Sequence, residues 1–314
     1  MSTVEMSDTE NQSVAQTANE LRQTMGAVKL SFSWLGTQRK LSDAQTKQAA
    51  DTFDAATDLV TASKRLIDTK HPAYRAATAI KSQASAFWRG ITLPYPQEGT
   101  RLIKQDDIAR FEETMSGYKE QLAAAVSNLQ LEYETIKNAA REKLGSLYNA
   151  NDYPATLEGV FDISWEYPPV EPPRYLVALN PGVYQAEQGR VQQRFETAVA
   201  MAENAFAETL QELVSHLIER LTDEPDGTKK TFRASAVENF KEFYDNFRRM
   251  NVRSNAQLEQ LIENANALVA GVDPKELRKN EQLQTQLRTQ MGDLKNSLDN
   301  LITNAPRRRV MPME

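Results

Sequence analysis

Glu212, His216 and Glu219 stand at i, i+4 and i+7, a spacing that sets two carboxylates and an imidazole on one helical face, where they could hold a divalent cation. Ferritin-like dinuclear centres instead pair Glu with a His three residues on and need two such helices. The only other histidine here, His71, precedes a proline. A solvated helix flank accounts for the spacing, and no metal or other cofactor is expected. Phosphate chemistry needs a glycine-rich loop whose N–H groups cradle the anion. The nearest stretch, Asp226-Gly227-Thr228-Lys229-Lys230, lacks the first glycine and reads as a polar turn. No serine sits in a Gly-x-Ser-x-Gly elbow, and two histidines leave little for acid–base schemes. Paired acids such as Asp106-Asp107 and Glu112-Glu113 lie near a helix start, where they favour the macrodipole. The chain is therefore read as non-enzymatic, with no catalytic residue assigned.

Basic side chains offer a different chemistry. Arg248, Arg249 and Arg253 gather at one helix end, and Arg307, Arg308 and Arg309 form a basic tail. Such groups neutralise nucleic-acid phosphates with a steep salt dependence. Arginine near a helix C-terminus also answers the helix dipole, and a net charge of -6 supplies no overall pull toward polyanions. Nucleic-acid binding through these arginines is the alternative functional reading.

The composition narrows the setting. There is no cysteine, which removes disulfides, thiol nucleophiles and thiolate metal sites. The N-terminus is acidic and polar and does not read as a signal peptide. No apolar run approaches the ~18 residues that cross a bilayer, so a cytoplasmic protein without membrane contact is expected. A helical pore-former would need a long apolar tongue; residues 159-182 are broken by acids and prolines, which leaves that as a minor alternative. At 40% apolar residues, regularly spaced, the chain is built from narrow hydrophobic seams.

Two seams dominate. Ile108, Phe111, Met115, Tyr118, Leu122, Ala125, Leu129, Tyr133, Ile136, Ala140, Leu144 and Leu147 recur at spacings of three and four, and so do Val191, Phe195, Ala198, Ala202, Phe206, Leu210, Leu213, Leu217 and Leu221. Each predicts one long helix, the two packed as an antiparallel pair. Shorter helices are expected from Ser42 to about Thr69, from Ala73 to about Trp88, and over three segments after Gly227, the last opened by Asp273-Pro274. Residues 89-103 read as a loop. Two segments break the helical pattern, because Val28 to Trp34 and Phe161 to Tyr167 alternate with the period of two that strands have. They are predicted to pair with each other and lay Phe32, Trp34, Phe161, Trp165 and Tyr167 on the helices, with Pro168, Pro169, Pro172 and Pro173 stopping the ladder.

Val28-Lys29-Leu30-Ser31-Phe32-Ser33-Trp34-Leu35-Gly36 with Arg39-Lys40, the stretch 64-76, the loop 93-103, and Leu144-Gly145 leading to Asp152-Tyr153-Pro154 together resemble an uncharacterised bacterial and phage helical family. Its members are encoded beside AAA+ ATPases of the MoxR or CobS type and proteins with von Willebrand A domains. The resemblance implies an adaptor or substrate of a remodelling ATPase, or a phage or plasmid accessory protein. It carries no catalytic residues.

The expected fold is mainly α: an elongated, coiled-coil-like antiparallel long-helix bundle with a small two-stranded sheet of residues 28-34 and 160-167. Residues 1-26 are expected to be mostly disordered, 27-222 to form the long-helix domain, 223-304 a C-terminal helical segment and 305-314 a basic tail. The expected function is that of a helical interaction or scaffold protein binding copies of itself or another protein, a AAA+ ATPase among the candidates.

Overall fold

A computed structural model describes residues 14-222, 235-252, 255-273, 276-277 and 280-304. The protein is mainly α, with a four-stranded antiparallel sheet and a separate two-stranded one. The chain forms two compact units that interleave along the sequence: residues 28-90 and 106-167 make one, and residues 1-27, 91-105 and 168-314 make the other.

In the first unit, α3 (Pro72–Gly90) packs along α4 (Ile108–Leu144), with β6 (Asp162–Glu166) against α4. The buried side of α4 carries Phe111, Met115, Leu122, Leu129, Tyr133, Ile136 and Ala140, all members of the expected seam. At 37 residues the helix is about 55 Å long. Its far end is set by Gly145, whose φ of 51° and ψ of -124° lie outside what side-chain-bearing residues adopt. A Cβ there would meet no atom within 4 Å, so Gly145→Ala is a test of backbone conformation alone, expected to cost about 1–3 kcal/mol. Gly117→Ala, inside α4 and equally uncrowded, should instead stabilise by about 0.5–1 kcal/mol. Paired urea titrations read the opposite signs.

Ser42 caps its helix as expected, in a reciprocal box with Gln45. The helix to Thr69 does not form. It stops after one short element, α2 (Asp43–Asp51); the chain then makes a 3-10 turn at Thr57–Leu59 and enters β3 (Ser63–Arg65), paired antiparallel to β2 (Gln38–Lys40). The β-branched Thr52, Thr57, Val60 and Thr61 weaken helix here, and Asp54 sits at a left-handed φ of 49°. Phe53 and Leu59, which a helix to Thr69 would have had to bury, are 81% and 85% exposed.

The predicted strand pair is present. In β1 (Met25–Ser33) Leu30 faces Trp165 and Phe32 faces Ile163 of β6, antiparallel. The sheet is larger than expected, with order β4-β5-β1-β6. Residues 89-103, read as a loop, contain the hairpin of β4 (Thr92–Pro94) and β5 (Thr100–Lys104). Three residues and a proline give little alternation to read, and Pro94 is tolerated because β4 is an edge strand that needs no donor on its outer side.

In the second unit, α6 (Pro181–Arg220) is a 40-residue spine, about 60 Å long. It packs along α9 (Glu281–Asn304), with α7 (Ser235–Met250), α8 (Ala256–Val269), the short α5 (Tyr175–Leu179) and β4 also against it. A helix over 14-24, α1, adds Ala18 and Leu21 to this core. The expected pairing of the two long helices is thus corrected: α4 takes α3 as its principal partner and α6 takes α9. A seam's spacing announces that a helix needs a partner without naming it. The last helical segment does open after Asp273, with Glu276 and Leu277 helical and Leu277 N donating to the Asp273 carbonyl at 2.9 Å, but it is interrupted at Asn280. Asn280 Oδ1 accepts from Leu283 N at 3.1 Å, so the helix starts afresh at Glu281; Pro274 and Lys275 lie outside the described residues.

Candidate functional site

The residues singled out for metal chemistry do not converge. Glu212, His216 and Glu219 lie exposed on α6, and His216 Nε2 accepts from Arg220 Nε at 3.3 Å. Among the described residues no three His, Cys, Asp or Glu side chains form a group able to hold a metal ion, and no helix is long and apolar enough to cross a membrane. Of the arginines, Arg248 lies over the Tyr244 ring and Arg249 donates to Asn246 Oδ1 at 3.0 Å. The Tyr244 hydroxyl in turn donates to Glu263. Arg253, Arg307, Arg308 and Arg309, together with Lys229 and Lys230, lie outside the described residues.

The sheet aromatics do come together, on α3 and α4. Trp34 and Phe161 meet edge to face at 4.8 Å, Trp34 Nε1 donates to the Tyr74 hydroxyl at 3.2 Å, and the Lys81 ammonium lies over both Phe32 and Trp34. On the other side of β6's inward face, Trp165 Nε1 and the Tyr167 hydroxyl both donate to Glu112 Oε1, at 2.7 and 2.6 Å. Burial first, and the bond to Glu112 second, push the Tyr167 hydroxyl well above the ordinary tyrosine range. A proton held more tightly folded than unfolded contributes stability that is full below the ordinary tyrosine value and is lost as pH rises through the raised one. Glu112→Gln keeps an acceptor but removes the charge, so a phenolate absorbance titration should show the most resistant tyrosine moving down toward ordinary values.

One polar cluster was not anticipated as a site. Lys64 of β3 is buried, its ammonium 2.7 Å from Asp152 Oδ2 and donating to the Leu147 carbonyl at 2.5 Å. Beside this pair Tyr148 and Tyr153 stack at 5.2 Å, and Tyr153 donates to the Leu66 carbonyl at 2.7 Å. Tyr133 of α4 has its hydroxyl buried without a hydrogen-bond partner, and burial pushes it up to about 12. These groups tie the β2–β3 hairpin to the turns that follow α4. The Lys64 ammonium is held by the Leu147 carbonyl and the Asp152 charge, which is a structural use of a buried charge.

The proline arm has a definite seat in the second unit. Val170 packs on the core, Pro172 is buried, and Glu171 between them takes the Arg22 guanidinium of α1 in a two-pronged ion pair. Glu171 raises the Arg22 pKa through those bonds. Held this way, the arm delivers α5 onto the start of α6. The Asn180 side chain caps α6 through Val183 N, with Pro181 in its first turn, fixing the corner.

What α5 presents is apolar and open to solvent. Tyr175 is 64% exposed, Val177 50%, Leu179 76% and Val183 48%. The first ten residues of α6 contain no buried side chain; burial begins at Val191. The sequence shows the other half of the signal: from Tyr175 to Ala186 no residue is charged. That run was legible, but four flanking prolines drew the reading toward a mere stiffener. A second exposed apolar pair, Phe53 and Leu59, differs in lying among Asp51, Asp54 and Asp58. No family model, curated protein or solved structure matches this chain.

Proposed function

We propose that this chain is a non-enzymatic helical interaction protein that docks a protein partner through α5 and the first turns of α6. The observation that carries the reading is the concentration of exposed large apolar side chains between Tyr175 and Val183 on a corner held by a cap, a proline and an ion pair. Exposed apolar side chains gathered in one short segment mark interaction sites, and a preorganised corner lowers the ordering cost of binding. The long helices act as spines that hold such surfaces at fixed separations. The family resemblance nominates a AAA+ remodelling ATPase as the protein partner.

A photo-crosslinking residue placed at Leu179 tests the reading in cells that make the protein. Adducts to polypeptide at position 179, and none at the exposed Glu132 of α4, are the expected result. Absence of adducts at 179 above the Glu132 background would remove it. The nucleic-acid alternative is separated by a mobility-shift titration at two salt concentrations, since it requires affinity that falls steeply with salt.

A further inference from the structure

The α5 surface raises the question of what covers it. We infer that its occupant is the same surface on a second copy of this chain, the two related by a two-fold axis. The inference rests on the interaction reading above and names the partner at that site.

Area is the first argument. At the exposures given, Tyr175, Val177, Leu179 and Val183 together expose roughly 500 Å² per copy, spread over both flanks of α5, since Val177 stands two residues from Tyr175 and from Leu179. A two-fold contact that covered both flanks in each copy would remove roughly 1,000 Å² from water, the size at which specific interfaces begin. The aromatic Tyr175 supplies the kind of anchor around which binding energy concentrates.

Charge, the second argument, separates this surface from the Phe53 and Leu59 loop, another place among the described residues where large apolar side chains lie exposed. A two-fold contact sets a patch against a copy of itself, so a patch that carries acids and no bases meets only like charge. Residues 175-186 carry none, and self-pairing there has no repulsion to overcome. The Phe53 and Leu59 loop would set Asp51, Asp54 and Asp58 against their own copies, with no basic residue between 48 and 63 to answer them. Its apolar side chains are therefore unsuited to the same use.

Helix stability gives the third. The opening ten residues of α6 have no buried position within the chain, whereas helices draw most of their stability from packing a face. Val183 stands on those turns, next to α5 and 48% exposed, and a partner copy would cover it.

The cysteine-free sequence makes the test direct. Sedimentation equilibrium of the full chain at micromolar concentration should give a dimer. Leu179→Asp should weaken it at least about 30-fold while leaving the helical circular dichroism at 25 °C largely in place, and Phe53→Asp should leave it intact. Leu179→Cys, the sole thiol, should form an intermolecular disulfide under mild oxidant, and Glu132→Cys should not. A monomeric wild type overturns the inference, even one that floats with phosphatidylcholine–phosphatidylglycerol liposomes. So does a dimer that Leu179→Asp leaves unchanged and Leu179→Cys fails to crosslink. A monomer that still yields adducts to another protein from position 179 sinks the self-pairing alone and leaves the interaction reading standing.

Discussion

Replacing Lys64 by Met lowers the unfolding free energy of its unit by about 3–5 kcal/mol, the loss expected when one member of a buried ion pair is removed. The ammonium is 8% exposed and its carboxylate partner 18%, so water cannot take over the role of either. Met matches the length of the lysine stem and fills its space, which isolates the electrostatic part. Asp152 is left as a carboxylate without its cation, and the Leu147 carbonyl loses its donor. Adding Asp152→Leu should recover most of the loss, because the stranded charge is removed with it. Trp34, Trp88 and Trp165, the only tryptophans, all fall in this unit, so fluorescence-detected urea unfolding follows it selectively. A Lys64→Met protein within about 1 kcal/mol of wild type would show that the pair is open to solvent.

Phe111→Ala carries a comparable cost, about 3–5 kcal/mol, for a different reason. The ring is fully buried at the start of α4 and is touched from three directions: Phe87 stacks at 6.4 Å, Trp165 meets it edge-on at 5.9 Å, and Tyr167 at 6.5 Å. Truncation opens a cavity between α3, α4 and β6 and releases the aromatic end of β6. The variant should therefore also lose its resistant tyrosine, since the Tyr167–Glu112 bond depends on that seat. Phe111→Leu, which keeps most of the volume, should cost far less. Unfolding by fluorescence gives the energy, and the phenolate titration reports the released bond.

The comparison of these elements with the sequence shows where pattern suffices. The seams of α4 and α6 were legible because each element repeats its burial over many turns; every buried residue from Phe111 to Ala140 falls on the expected seam, with Tyr118 and Ala125 of that seam half-buried. The pairing of β1 with β6 was legible for the same reason in period two, reinforced by need: neither strand is stable alone. Helix 42-69 was misread because a few apolar residues at helical spacing outweighed the β-branched and aspartate residues between them. The β4–β5 hairpin was missed because short strands carry too few repeats. The partners of the long helices were beyond reach, since nothing in a seam of Leu, Ala and Phe distinguishes one complementary face from another. The Lys64–Asp152 pair was hidden by distance along the chain, 88 residues apart with no local signature. The α5 surface lay in plain view as an uncharged run, but exposure is a property of the fold, and only the fold shows those side chains uncovered.

The interleaving of the two units has a consequence for how the protein is made. The chain leaves one unit for the other at 27-28, 90-91, 105-106 and 167-168. A ribosome therefore releases every segment of the unit built on α3 and α4 once residue 167 has emerged, while the other unit still lacks α6 and everything after it. During that interval α1 and the β4–β5 hairpin are waiting pieces, their apolar residues held for a spine not yet translated. Neither unit corresponds to a contiguous stretch of coding sequence, so the two are inherited together and neither can be shuffled into another gene by a single cut.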